Sequence, residues 1–180
     1  MRAAHALLLL LIPGAAAAQT ASPERSIQVV ATAPSLCRMA PPTATGDATF
    51  SAESGGALLQ LNDLVNDDGI ANPLQVSLSI DVICSGPHNV RVLSASGGIS
   101  NREGAGAIGT GFSSRLDYAL QADWAGQSFG FATAGAPVAA DLTRNAPAHG
   151  TFGVELNFTG GERLVAGEYE DELTVTFNPQ

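Results

Sequence analysis

The sequence predicts an all-β fold, a sandwich of the Greek-key kind, on three observations. Leu74–Cys84 and the stretches 115–124, 151–159 and 169–177 alternate apolar and polar residues with a period of two. Turn chemistry separates them: Asn66-Asp67-Asp68-Gly69, Gly86-Pro87 and Gly160-Gly161. Helical periodicity is nearly absent, and counting from Ile27 to Phe177 gives about seven or eight strands in one domain.

Residues 1–18 precede that domain. Met1-Arg2 is a short positive start, 6–12 an apolar run, Pro13-Gly14 a break, and Ala16-Ala17-Ala18 a small-residue cleavage site. This pattern is a secretory signal cut after Ala18. The apolar run is too short for a hydrocarbon core that needs ~20 residues, and no later stretch is apolar enough to span. An exported, soluble product is therefore expected. The full chain has a formal charge of −9 and no Lys, and loss of Arg2 makes the product more acidic still. Acidity without basic clusters argues against nucleic acid and against insertion into or binding of anionic membranes. Without Lys there can be no Lys–Asn isopeptide cross-link.

Residues 19–25 read as a leader. Along 26–33, Ile27, Val29, Ala31 and Ala33 share one face, and Val30 interrupts the alternation. Pro34 removes a ladder donor, so any strand there is interrupted or at an edge. Residues 38–46, with Pro41-Pro42, read as a loop, and 47–51 as a short strand. The stretch 57–65 fits a helical turn through Leu58, Leu61 and Val65, and a strand through Leu59 and Leu61. In Leu74–Cys84 the parity of Val76, Leu78, Ile80 and Val82 turns Cys84 inward, and 89–94 returns as a strand. Residues 96–114 are rich in Gly and Ser and read as a surface loop. In 115–124, Leu116, Tyr118, Leu120, Ala122 and Trp124 share a face. A long connection, 125–147, has room for a short strand. Phe152, Val154, Leu156 and Phe158 then face inward.

The two cysteines, Cys37 and Cys84, read as one disulfide, because an even pair in an exported chain pairs by default and no CxxC or CxxxH spacing exists. The closing stretch places Tyr169, Asp171, Leu173, Val175 and Phe177 on one face, and Glu170, Glu172, Thr174 and Thr176 on the other. A last strand this apolar on one face is expected to need a neighbour that Asn178-Pro179-Gln180 cannot supply.

The ending Leu164-x-Ala166-Gly167-x-Tyr169-x-Asp171-x-Leu173-Thr174-Val175-Thr176-Phe177 resembles the C-terminal signature of the spore coat protein U domain. That domain is shared by subunits of archaic chaperone–usher pili. The alternating segment running into Cys37, and Cys84 at the end of a Val/Ile strand, fit the same pattern. The resemblance implies an immunoglobulin-like sandwich, residues 34–180, that lacks its last strand. It also implies capture by a periplasmic chaperone, transfer to an outer-membrane usher, and completion by the N-terminal segment of another pilus subunit. By position the donor is 19–33, with Ile27 and Val29 as main anchors and Ala31 and Ala33 as small ones. The register is open by one residue either way. Tyr169, Leu173, Val175 and Phe177 form the acceptor strand. The bland alternative makes 26–33 an ordinary first strand of its own sandwich.

Other chemistry is weaker. Gly104-Ala105-Gly106-Ala107-Ile108-Gly109 matches GxGxxG without the strand–helix setting of a dinucleotide site, so no cofactor is expected. Asp63, Asn66, Asp67 and Asp68 miss the spacing of a calcium loop and lack its Glu. His88 and His149 fall in different loops, too few ligands for zinc. There is no GxSxG, Glu170 and Glu172 face outward, and the sequon at Asn157 lies mid-strand. Tyr118 and Trp124 read as core before they read as a sugar platform. The expectation is a non-enzymatic pilus or coat subunit at the cell surface. The alternative is a secreted binding module recognising sugar or surface ligands through the loops at 96–114 and 125–147.

Overall fold

A computed structural model of the protein describes Arg25 and residues 28–53, 56–103 and 109–180. Among these, the first strands are β1 (Cys37–Met39), β2 (Thr43–Gly46), β3 (Ala48–Glu53), β4 (Gly56–Leu61) and β5 (Leu74–Cys84). There follow β6 (His88–Ser94), β7 (Ile99–Asn101), β8 (Arg115–Leu116), β9 (Ala119–Trp124) and β10 (Gln127–Ala132). The last four are β11 (Val138–Arg144), β12 (Ala148–Phe158), β13 (Tyr169–Glu170) and β14 (Leu173–Pro179). The described residues contain no helix. Ala33–Gln180 forms one compact unit.

The cleanest alternation builds the longest ladder. β5 and β12 pair antiparallel over eleven residues each, from Cys84 opposite Ala148 to Leu74 opposite Phe158. β9 and then β10 continue that sheet beyond β12, while β1 and β2 share the other side of β5. Pro41-Pro42 divides those two short strands, since proline cannot donate to a ladder. The facing sheet is β11-β6-β14. Its Phe177 ring lies 5.3 Å from both Trp124 and Phe152 of the first sheet, edge-on to each. The fold is thus the all-β sandwich that alternation predicts, of the immunoglobulin-like kind that the resemblance implies.

The core is continuous across the two layers. Trp124, Phe152, Val76, Val90 and Val92 are fully buried, each such side chain stabilising the fold by roughly 1.5–3 kcal/mol. The disulfide joins Cys37 to Cys84, opposed residues of β1 and β5 with Cα atoms 4.1 Å apart. Cys84 points inward, as its parity requires.

Several elements differ from expectation. The stretch 57–65 is strand in its first part, β4, paired with β3, and Leu59 and Leu61 pack on the core. The Gly/Ser-rich stretch 96–114 is no simple surface loop: β7 pairs with both β8 and β13, and Ile99 and Asn101 are buried. Gly97 has φ +67° and lies so close to Ala136 that a Cβ would sit 1.9 Å from its carbonyl oxygen. That glycine serves close packing, a use the composition of a loop does not distinguish from mobility. The GxGxxG glycines 104 and 106 lie outside the described residues. The connection 125–147 carries two strands, β10 and β11, which leaves little loop for a binding module to use.

His88 and His149 belong to β6 and β12, not to loops. His88 is fully buried: its Nε2 accepts from Trp124 Nε1 at 2.8 Å, and its Nδ1 donates to Gly86 O at 2.9 Å. The Asn66 turn forms as its chemistry requires, with Oδ1 accepting from the amides of Asp68 and Ile70.

Candidate functional site

The final stretch is not one strand. Tyr169 sits on β13, paired with β7, whereas Leu173, Val175 and Phe177 sit on β14, paired with β6. Asp171 makes the break. Its Oδ2 accepts from Ser94 Oγ at 2.5 Å and from Tyr118 Oη at 2.6 Å. Its Oδ1 accepts from the amides of Ser96, 2.8 Å, and Glu172, 2.9 Å. One carboxylate therefore ties the start of β14 to the end of β6 and to Tyr118 of the opposite layer. Burial first, and then the hydrogen bond to Asp171, pushes the Tyr118 phenol above its usual value near 10. Tyr169 Oη donates instead to Val165 O at 2.8 Å, away from the β14 edge.

β14 is the end strand of its sheet, with β6 on one side and no paired strand on the other among the described residues. Glu172 O accepts from Ala95 N, and Gln180 N donates to Pro87 O. Backbone groups alternate sides along a strand, so the even-numbered residues of β14 face β6. The N–H and C=O groups of Leu173, Val175 and Phe177 then face the vacant side.

β1 presents a matching edge. Ala40 N donates to Asp81 O and Ser85 N to Leu36 O, which turns the backbone groups of Cys37 and Met39 away from β5. The two edges come within 8 Å at Cα, yet no ladder joins them.

The side chains on this flank are incompletely covered. Met39 lies opposite the buried Val82 and so points inward, but it is 49% exposed. Leu78 on β5, Ala44 opposite it on β2, and Leu173 and Val175 on β14 are all only partly buried. These inward-facing positions flank the two vacant edges. In the second half of β12, by contrast, the inward residues Phe152, Val154, Leu156 and Phe158 are all buried. An apolar groove bordered by unpaired strand edges is what β-addition requires.

The predicted donor positions are partly visible. Ile27 lies outside the described residues. Val29, Ala31 and Ala33 belong to no strand and are exposed, Val29 by 89%. The sequence marks Leu78 only as an inward core residue and gives Met39 no role, although Met39 shares the parity of Cys37. Near the disulfide, Sγ of Cys37 and Cys84 and a ring nitrogen of His88 cluster within 4.8 Å. The sulfurs are bonded to each other and both His88 nitrogens are hydrogen-bonded, so the trio offers no free ligand atom.

No family model matches the sequence, and no curated protein matches it. Among solved structures, a chain from work on a chaperone–tip adhesin complex in the activation of CFA/I fimbriae biogenesis is similar at 13% identity and a TM-score of 0.36. The match covers 64% of this chain and 39% of that one, so the chain spans about two fifths of its length.

Proposed function

We propose that this protein is a structural subunit of a secreted surface pilus or coat that assembles by accepting a strand from another molecule. The observation that carries this reading is the flank between β1 and β14. There the backbone groups of Val175 and Phe177 face away from β6, beside inward apolar side chains that the fold leaves half-covered. A strand laid against β14 pairs those groups and covers that surface. Each large apolar side chain it inserts contributes roughly 1.5–3 kcal/mol when fully covered.

The donor is the segment 19–33 of another subunit, with Ile27 and Val29 as anchors and Ala31 and Ala33 as small inserts. Residues 1–18 are a secretory signal. A periplasmic chaperone holds the flank in transit, an outer-membrane usher exchanges it, and the protein itself catalyses nothing. The C-terminal likeness to the spore coat protein U domain supports these finer assignments. Deleting residues 19–33 is expected to abolish polymers, seen by size-exclusion chromatography, while leaving a domain that a chaperone can capture. Polymers formed by the deletion variant would exclude this segment as the donor.

A further inference from the structure

Given strand donation, the chain's own leader competes for the groove from the shortest distance. We infer that a latch between Pro34-Ser35-Leu36 and Ser85-Gly86 denies the groove to that leader and reserves it for a second molecule.

Strand directions define the problem. β5 ends, β6 begins, β14 ends and β1 begins at one end of the sandwich, where Cys84, His88, Pro179 and Cys37 stand. The segment before β1 therefore arrives at that end. To lie beside β1 in its own groove it must double back immediately before Cys37. It would then run antiparallel to β1 and parallel to β14. A leader from a second copy is free of that connection and can enter antiparallel to β14.

The residues that would have to make the turn are held straight. Leu36 O accepts from Ser85 N at 2.9 Å, and Leu36 N donates to Ser85 Oγ at 3.0 Å. The same hydroxyl lies 3.3 Å from Pro34 O and 3.4 Å from Leu36 O, and its one proton serves either carbonyl. Ser35 lies over Gly86, where a Cβ would come 2.6 Å from the Ser35 hydroxyl. These contacts carry the line of β1 past the disulfide, beyond the end of the ladder that closes with Cys37 opposite Cys84.

A hairpin can then begin only upstream of Pro34. That turn consumes Ala33 and Ala31, two of the four inserting residues. It also stands three residues beyond β1, about 10 Å at the rise of an extended strand. Little leader remains to fill the groove.

Arg25 supplies the readout. It is the basic residue between the signal and β1, so trypsin cleavage after it reports whether the leader of a monomer is free or inserted. In wild-type monomers cleavage is expected to be fast, and the cut chain should take up a synthetic peptide of residues 19–33. Ser85→Ala is expected to yield a monomer fraction in which cleavage after Arg25 slows at least about 10-fold and peptide uptake is lost. Ser85→Thr, which keeps the hydroxyl, should behave as wild type. If Ser85→Ala unfolds the domain, seen in the near-UV signal of Trp124, a Gly-Ser-Gly-Ser insertion between Ala33 and Pro34 gives the leader its slack instead and should produce the same protected monomer. The latch is overturned if wild-type monomers already protect Arg25, or if the folded variant cleaves as fast as wild type. Failure of the strand-donation reading registers separately, as no peptide uptake by the cut wild-type chain.

Discussion

Phe152 on β12 and Val175 on β14 point into the same core, yet the first is fully buried and the second half-covered. The difference lies in their neighbours. β12 has a strand on each side, β5 and β9, whereas among the described residues β14 pairs with β6 alone. A side chain on a sheet is sealed by the strands flanking its own as much as by the layer opposite. The same strand chemistry thus yields a closed interior in one region and an open edge in the other.

Truncation should separate the two regions most sharply. Phe152→Ala is expected to cost about 3–5 kcal/mol in a denaturant titration, whereas Val175→Ala should cost roughly 1 kcal/mol in the free chain. Val175→Ala should weaken peptide uptake more than it weakens the fold. Equal losses of stability would erase the contrast.

Replacing both Cys37 and Cys84 by Ala should cost roughly 4 kcal/mol on the chain-entropy model, for a separation of 47 residues. Because β1 buries little of its own surface, hydrogen exchange should rise first in β1 while β12 stays protected. Uniform loss of protection would show that the flanks are not independent.

Tyr118→Phe removes a hydrogen bond to a carboxylate and should cost about 1.5–3 kcal/mol, measured by chemical denaturation. The raised phenol fixes the sign of a pH effect. Below about 10 the tyrosine is protonated in both the folded and the unfolded chain, and its contribution is fully present. Above that, the unfolded chain releases the proton first, so stability falls as pH rises. Tyr118→Phe should flatten that alkaline decline. The smallest effect belongs to the exposed pair Arg91–Asp141, where Asp141→Asn should change stability by at most about 1 kcal/mol in the same titration.

The closed region was the legible one. Leu74–Cys84 and Phe152 to Phe158 alternate large or β-branched residues against polar ones, and the structure pairs those strands throughout. Where the sequence leaves room for one short strand the structure has two, β10 and β11, because Gly130, Ala139 and Ala140 blunt the alternation. At Gly130 a Cβ would lie 2.1 Å from Leu120 O, so the residue that weakens the pattern also allows the pairing. Asp171 carries an inward parity that no apolar pattern explains, and its meaning needs Ser94 and Tyr118, which are distant in sequence. The half-exposure of Met39 was illegible for a related reason. Parity says which way a side chain points, and only the missing neighbour says whether anything covers it.

Amide exchange at Val175 and Phe177 tests the open edge most directly. The mature chain lacking residues 19–33 would be compared with and without a synthetic peptide of that segment. Both amides are predicted to exchange rapidly in the free chain and to slow by at least about 100-fold when the peptide pairs with them. Protection already present in the free chain, or none gained in excess peptide, would contradict an acceptor edge on β14.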